Sequence, residues 1–419
     1  MSAMGAFVGL LVLAYFGSIL MGGRSIRGYG LPSGSEYLLL GFVVGPTVLG
    51  VLDRDTLALF DPVARVGVAW LALVTGLNYA VMGGKRASAL AIVGSLLLTT
   101  LCGVVVGGAV WLVSGAVTSL DTTSRLLLSG GAGVVCCETT RFAVRWVSER
   151  HGAKGPLSST VAAFADSDEL APVLAIAALY VIAPMPQGEI WLPQVAWFGT
   201  TVGLGVVLGA TCAALIGSQL HRGEALSFLL GAALLGTGVA IQLGLSGITT
   251  MFVLGLSLSV ASKHRVELKA LLQKSEQPVL LPVFLLAGAH VRLDAAPYLV
   301  WILLAAVGAR VLGKLLGGWG LCVLPAPRKA GPWLGLGLLS SGALTICLAL
   351  AFSLRVPGEV GQVVLTLGVA STLFGELVGP LMLRNSLARA GELPKSDAAS
   401  EGIPSSAESP ATTQSVEAV

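Results

Sequence analysis

The chain has 419 residues, of which 55% are hydrophobic and only 11% are charged, and its mean hydropathy is +0.86. A soluble globular protein carries about 25% charged residues, so most of this surface is not suited to contact with water. The composition excludes an ordinary soluble domain and predicts an all-α polytopic membrane protein surrounded by membrane lipid. The formal net charge of +3 is small, and nothing in the sequence indicates a nucleic-acid partner.

Apolar runs near the length of about 20 residues that spans a bilayer as a helix follow one another along the chain. Charged, Pro-rich or Gly-rich joints separate them. They predict about thirteen transmembrane helices, with the approximate spans 4–22, 35–52, 59–83, 87–115, 123–149, 157–184, 191–217, 223–241, 243–262, 277–293, 297–324, 331–354 and 360–388. No basic segment precedes the first span and no clear cleavage site follows it, so we interpret it as a retained helix and not a signal peptide.

The predicted membrane domain covers residues 1–388, and residues 389–419 form the remainder. This remainder is rich in Ser, Ala, Glu and Pro and lacks aromatic residues, a composition typical of a disordered tail. The six cysteines all lie within apolar segments without the spacing of a zinc site. We interpret them as small buried hydrophobic residues, and we expect no cofactor.

The joints between the predicted helices alternate in charge. Lys and Arg are enriched in cytoplasmic loops, so the basic joints are predicted to be cytoplasmic, which places the N-terminus outside and the tail inside. The intervening joints are acidic, balanced or uncharged. The basic joints contain Arg24 and Arg27, Lys85 and Arg86, Arg150 and Lys154, His221 and Arg222, Lys263, Arg265, Lys269 and Lys274, and Arg328 and Lys329.

Ten charged residues within the predicted spans are candidates for a site inside the membrane. A charged side chain at membrane depth usually faces a cavity or a partner, and it is a functional candidate for that reason. Three of the ten, Arg65, Arg145 and Glu376, can instead reach the interface or cap a helix, and we favour that interpretation. The full set is Arg65, Glu138, Arg141, Arg145, Asp166, Asp168, Glu169, Arg310, Lys314 and Glu376.

The segment "AAFADSDELAPVLAI" places three carboxylates in an apolar run. On a continuous helix Asp166 and Glu169 share a face while Asp168 points nearly opposite to Asp166, so either Asp168 or the other pair forms the working site. Pro172 removes the hydrogen bond to the carbonyl of Asp168, which favours Asp168. A carboxylate beside a freed carbonyl suits a small hard cation or a proton. The proline could also simply kink the helix.

Upstream, "GGAGVVCCETTRFAVRWVSERHG" is a poor continuous helix, because its first twelve residues include three glycines, a pair of threonines and an embedded Glu and Arg. That composition suits a helix interrupted at mid-membrane, as transporters use at binding sites. Thr139 and Thr140 then offer oxygen ligands. Glu138 and Arg141, three residues apart, are expected to form a local ion pair. An intact helix, whose threonines bond to their own backbone, remains the alternative.

Seven segments carry a resemblance to a known family. In order they are "YGLPSGSEYLLLGFVVGPTVLGVLD", "LALVTGLNY", "CCETTRFAVRWVSERHG", "FADSDELAPVLAIAAL", "GLSGITTMFVLGLSLS", "LLPVFLLAGAHVRLD" and "ARVLGKLLG". From about residue 28 to 388 the chain resembles the monovalent cation:proton antiporter superfamily, with the sodium/proton-exchanger fold, and is nearest to its Kef-like bacterial branch. Each segment alone is a weak signal, whereas seven in the correct order are strong.

The resemblance implies a core domain and a dimerisation domain, built from inverted repeats, and a homodimer in the plasma (inner) membrane of a bacterium. It implies two broken helices that cross near Asp168, the second of them around residues 331–354. Asp168 matches the family's essential aspartate, and Thr139 and Thr140 match the break in the first crossing helix. The helix with Arg310 and Lys314 matches the one that carries a basic residue opposite the site.

The leading hypothesis is therefore a secondary antiporter, not an enzyme, that exchanges protons for Na+ or K+ by alternating access and takes part in pH homeostasis. Asp168 binds the metal ion or the proton. Ser167, Thr139 and Thr140 complete the predicted site. Four further residues are expected to supply supporting charges: Arg310, Lys314, Asp166 and Glu138.

Three departures from the family's pattern motivate an alternative. Ser167 stands where relatives usually have Asp, Asn or Gln, Glu138 and Arg141 place charges in the crossing helix, and Arg65 replaces a more usual acidic or neutral residue. A salt bridge in the crossing region could lock a transport-inactive sensor or scaffold of the same fold. Kef-like relatives often carry a nucleotide-binding regulatory domain, but this sequence has no GxGxxG motif, so we expect none in this chain.

Overall fold

The structure is a computed structural model. It describes residues 34–79, 81–82, 85–86, 89–183, 194–216, 222–294, 296–323, 328 and 330–394. The predicted first helix, at 4–22, and the predicted tail beyond residue 394 lie outside the described residues.

Each of the other twelve predicted spans has a helical counterpart in the described part of the chain. Fifteen α-helices are described there: α1 Glu36–Val44, α2 Arg54–Asn78, α3 Ala89–Val117, α4 Thr122–Val135, α5 Arg141–Arg150, α6 Pro156–Ala165, α7 Leu170–Ile182, α8 Gln194–Ile216, α9 Arg222–Gln242, α10 Gly247–Ala261, α11 Arg265–Ala289, α12 Leu299–Gly320, α13 Leu334–Gly337, α14 Ala343–Arg355 and α15 Glu359–Arg389. A 3-10 turn, Leu321–Val323, extends α12. Six of these helices are long and apolar enough to cross a membrane.

Three predicted spans are each divided into two helices, namely α4 with α5, α6 with α7, and α13 with α14. The joint between α2 and α3 contains a short antiparallel hairpin of strands β1 (Val81–Met82) and β2 (Lys85–Arg86). Apart from that hairpin the described structure is helical, as the composition predicts.

The prediction for 277–293 is wrong at its start. The basic joint before it is not a loop but the first half of the 25-residue helix α11, which begins at Arg265. Leu268 and Leu272, four residues apart, are fully buried, so one face of this charged half is apolar. Hydropathy alone misses such a half-helix because its charged residues lower the average.

The helices pack into two groups, and several helices of one group also contact helices of the other. The first group consists of α1, α2 and α8–α11, and the second of α3–α7 and α12–α15. Glycines allow close approach within the first group: a side chain at Gly76 of α2 would meet the carbonyl of Phe252, and one at Gly255 of α10 would meet the carbonyl of Leu73. Such small-residue contacts are typical of membrane helix pairs.

The residues just after α15 fold back onto the start of α6. The Glu392 carboxylate accepts hydrogen bonds from the backbone N–H groups of Leu157 at 2.6 Å and Ser158 at 2.8 Å. These are among the donors that a helix leaves without an internal partner in its first turn. Glu392 therefore caps the helix that leads to the carboxylate segment.

Candidate functional site

The first interruption separates α4 from α5. Helix α4 ends at Val135 and α5 begins at Arg141, so Glu138 and the two threonines lie on non-helical backbone. The interrupted alternative is confirmed, and the intact helix is excluded.

The second interruption, at 338–342, separates α13 from α14 and crosses the first in direct contact. The Thr140 N–H donates to the carbonyl of Ser340 at 3.2 Å, and the Thr139 hydroxyl donates to the carbonyl of Leu338 at 3.2 Å. Any side chain at Gly342 would collide with that of Thr140. Glycine is thus required where the two segments touch.

Arg310 of α12 joins the two interrupted segments. Its guanidinium is fully buried and donates to carbonyls of the first segment, those of Cys136 and, at 2.8 Å, Glu138. It also donates to the carbonyls of Leu339 and Ser340, each at 3.2 Å, in the second. The ends of α4 and α13 leave such carbonyls without helical partners. Arg310 therefore holds the crossing together and does not face Asp168.

The three carboxylates lie on a third interruption, between the end of α6 at Ala165 and the start of α7 at Leu170. The prediction that a continuous helix sets their directions is wrong, because the helix is broken there. The freed Ser167 carbonyl accepts hydrogen bonds from the Tyr79 hydroxyl at 3.1 Å and the Ser95 hydroxyl at 2.9 Å. Other helices thus support the break.

Asp168 points into the crossing. Its side chain is 3% exposed, and Oδ2 accepts the Thr139 N–H at 2.8 Å. Within the described structure, Oδ1 of Asp168 and Oγ of Ser167 have no hydrogen-bond partner. Buried polar atoms are normally paired, so these two oxygens indicate a place for a bound ion, proton or water.

Lys314 is the basic residue beside Asp168. It is fully buried, and its Nζ lies 2.7 Å from the Thr139 hydroxyl and 3.9 Å from Oδ2 of Asp168. Of the two candidates for the basic residue opposite Asp168, Lys314 is therefore the one that lies beside it. One positive charge therefore lies within ion-pair distance of one oxygen of Asp168 and leaves the other oxygen unpaired.

The neighbours of Asp168 are held by arginines of α5. Asp166 pairs with Arg145 at 2.7 Å, and Glu169 pairs with Arg141 at 3.2 Å. Arg141 also contacts Glu276 of α11 at 3.3 Å, so it links the two helix groups. Neither Asp166 nor Glu169 joins Asp168 at the crossing.

The predicted pair between Glu138 and Arg141 is not formed. The Glu138 carboxylate instead accepts hydrogen bonds from the Thr345 hydroxyl at 2.5 Å and the Gly342 N–H at 3.4 Å. It therefore caps the N-terminus of α14, where a negative charge is favourable. The prediction failed because a spacing of three brings side chains together only on a helix, and Glu138 is not on one.

Three other charged residues were expected to cap or to reach the interface. Arg65 does cap, because it donates to the carbonyl of Leu354 at the end of α14 at 2.6 Å. Arg145 is instead an ion-pair partner. Glu376 is buried and accepts a hydrogen bond from the side chain of Ser35, just before α1. Its carboxylate therefore does not reach the membrane interface.

The sequence reasoning missed the residues that support the site from other helices. Ser95, Thr345 and Glu276 have no local signal that marks them. Tyr79 closes the segment "LALVTGLNY", so a polar residue at the end of an apolar helix was the available clue.

The comparisons with known proteins agree with this geometry. A family model described as sodium/hydrogen exchanger, transmembrane, matches residues 11–384. The chain belongs to the sodium/hydrogen exchanger family. It is 26% identical over 355 residues to the Na+/H+-K+ antiporter GerN of Bacillus cereus, covering 81% of this chain and 86% of that protein.

Solved structures show the same fold. The sodium proton antiporter MjNhaP1 of Methanocaldococcus jannaschii at pH 8 superposes with a TM-score of 0.68 at 16% identity, covering 91% of this chain and all of that one. An electron-microscopy structure of the same antiporter gives 0.64 at 17% identity, covering 97% of this chain and all of that one. The predicted superfamily and the all-α fold with crossing broken helices are confirmed. The exchanger family is a family of multi-pass membrane transporters.

Proposed function

We propose that this member of the family exchanges protons for Na+ or K+, with Asp168 as the shared site. The observation that carries the proposal is the buried carboxylate with one unpaired oxygen at the crossing. An isolated buried charge is costly, so this oxygen favours a bound proton or cation. One carboxylate that takes either ligand couples their movements, because binding one displaces the other.

Lys314 supports this cycle by balancing the charge of Asp168 when neither ligand is bound. Its Nζ lies 3.9 Å from Oδ2, within attraction but without a close hydrogen bond. The Thr139 hydroxyl, 2.7 Å from Nζ, positions the ammonium. Together with Ser167 and Thr140, Thr139 supplies oxygens to the predicted cation site.

The two helix groups supply the moving parts. The second group contains Asp168 and both crossing segments, and we propose that it moves against the first group to expose Asp168 to one side and then the other. The first group then forms the dimer contact. Because GerN is described as a Na+/H+-K+ antiporter, both Na+ and K+ are candidate substrates here.

Ion flux in proteoliposomes tests the proposal. Vesicles with an imposed pH gradient receive Na+, K+ or Li+ separately, and we expect Na+ or K+ to dissipate the gradient faster than in protein-free vesicles. Equal rates would overturn the proposal and favour the transport-inactive sensor or scaffold. Of the features that motivated that alternative, the pair of Glu138 and Arg141 is not formed, because Glu138 bonds to Thr345 and Arg141 to Glu169.

We also propose electroneutral, one-for-one exchange, because Ser167 beside Asp168 carries no charge and Asp166 is held by Arg145. The measured quantity is the transport rate at several imposed membrane potentials. A rate independent of potential is expected, and a strong dependence contradicts the stoichiometry but not the exchange itself.

The orientation follows the charge alternation, with the N-terminus outside, the tail cytoplasmic and the protein in the inner membrane of a bacterium. A cysteine at Lys85 should be shielded from an impermeant thiol reagent in intact cells, and one at Thr122 should be labelled. The six native cysteines form no disulfide and are replaced first. The reverse labelling pattern contradicts this orientation.

A further inference from the structure

A cavity of about 850 Å³ lies between the two helix groups. Residues of α2, α7, α9, α10 and α14 line it, and it includes the joint that follows α14 and the joint between α9 and α10. By the charge alternation these joints face the outside of the cell. Its volume is within the range of about 300–1,000 Å³ found for ligand sites.

The charged groups in the wall of this cavity are positive. Arg65 of α2 and Arg355 at the end of α14 line it, and the described lining contains no Asp or Glu. Arg65 donates to the carbonyl of Leu354, the residue before Arg355, so both guanidinium groups lie near one helix end. Two neighbouring like charges repel, and an anion between them relieves that repulsion.

Two buried hydroxyls line the same cavity. Tyr180 is 7% exposed and Thr237 is 2% exposed, and neither hydroxyl has a hydrogen-bond partner in the described structure. Tyr180 also lies under Arg355, whose guanidinium carbon is 5.8 Å from the ring centroid. Tyr180 therefore helps to hold the Arg355 guanidinium beside the cavity.

The remaining lining is apolar, and it includes Leu234, Ile241 and Ile248. Gly238 of α9 adds empty space, because a Cβ built there meets no atom within 4 Å. A free inorganic anion would leave this apolar volume unfilled. An acyl chain fills it with matching apolar surface.

We propose that this cavity binds an anionic phospholipid of the surrounding membrane. The phosphate lies on Arg65 and Arg355, which recognise phosphate through planar, multiple N–H donors, and an acyl chain lies along α9. The lipid occupies the space between the groups that the proposed transport cycle moves, but its binding is measurable without transport.

Lipid binding to the purified, full-length protein in detergent tests the proposal. Native mass spectrometry compares phosphatidylglycerol with phosphatidylcholine of the same acyl chains, and inorganic phosphate and a free fatty acid are separate arms. We expect phosphatidylglycerol to bind at least about ten-fold more tightly than phosphatidylcholine, which is about 1.4 kcal/mol. Arg355→Gln should abolish most of that preference.

The chain offers a matched pair of variants on α9. Gly238→Leu fills the cavity, whereas Gly231→Leu places the same side chain where a Cβ also meets no atom within 4 Å, outside the lining. Loss of phosphatidylglycerol binding in Gly238→Leu with retention in Gly231→Leu supports the proposal. Because neither glycine carries a charge, this pair remains informative if the arginine variant fails to fold.

Three outcomes overturn the proposal. Equal binding of the two phospholipids removes the role of the arginines. Retention of selective binding in Gly238→Leu places the lipid elsewhere on the protein. Competition by inorganic phosphate or by the fatty acid at the concentration at which phosphatidylglycerol binds shows that a simple anion or another amphiphile is the occupant.

Discussion

Asp168 and its neighbours Asp166 and Glu169 lie within four residues of one another, yet they have different surroundings. Asp166 and Glu169 each contact an arginine of α5 within 3.2 Å, while Asp168 has one oxygen without a partner in the described structure and a lysine 3.9 Å from the other. A carboxylate in a close ion pair is stabilised in its ionised form. A loosely paired carboxylate is free to exchange ligands, so this contrast favours Asp168 as the proposed transport site.

The largest expected effect comes from Asp168→Asn. The amide keeps the shape and can still accept the Thr139 N–H, but it cannot alternate between a proton and a cation. Exchange should fall to the rate of protein-free vesicles while the protein elutes as a single species on size-exclusion chromatography. If Asp168→Asn transports like the parent and the Asp166→Asn, Glu169→Gln double variant is inactive, then Asp166 and Glu169 form the transport site and Asp168 does not.

Arg310→Ala should lower both stability and activity. It leaves four buried carbonyls without this donor, although that of Ser340 keeps the Thr140 N–H. Each carbonyl left unsatisfied costs about 1–3 kcal/mol. A clear fall in melting temperature is expected. Arg310→Lys should retain part of both properties, because an ammonium can still donate to some of the carbonyls. A fully stable, active Arg310→Ala would exclude the role of Arg310 in holding the crossing.

Lys314→Gln tests the role of the 3.9 Å pair between Lys314 and Asp168. Without the nearby positive charge a carboxylate holds its proton more firmly, so the pH profile of exchange should move to more alkaline pH. Arg310→Lys serves as the control, since it keeps a positive charge away from Asp168 and should leave the profile in place. An unchanged profile in Lys314→Gln would show that Lys314 has only a packing role.

The paired carboxylates should give the smallest effects. Glu169→Gln leaves Arg141 with Glu276, so we expect exchange within about five-fold of the parent, which is about 1 kcal/mol. Asp166→Asn should lower the exchange rate less than Glu169→Gln does. The Arg145 side chain is 44% exposed, so water can solvate its guanidinium when the pair is lost. Rates are measured in the same proteoliposomes. A larger loss in Asp166→Asn than in Glu169→Gln contradicts this order.

The helices themselves were predictable from the sequence, because long apolar runs need no tertiary information. The break at Glu138–Thr140 was indicated by its composition, and Asp168 by the family resemblance. The start of α11 was not predicted, since its charged half is buried on one face only. A hydropathy average does not show that one face of such a helix is apolar.

The partners of the charged residues could not be read from spacing. Arg141 contacts Glu276, 135 residues away, and Arg310 contacts Cys136, 174 residues away. Such contacts arise when separate helices pack together. Local rules address residues three or four apart on a continuous helix, and three interruptions remove that geometry where the chemistry is concentrated.

The contacts of Arg141 have a kinetic consequence. Arg141 and Glu169 lie in the second helix group and Glu276 lies in the first, and all three are largely buried. Any relative movement that separates the groups must part Arg141 from Glu276. Each ~1.4 kcal/mol that parting Arg141 from Glu276 adds to the activation free energy slows the step ten-fold. In the proposed transport cycle we therefore expect the contact between Arg141 and Glu276 to lower the turnover rate and to increase its temperature dependence.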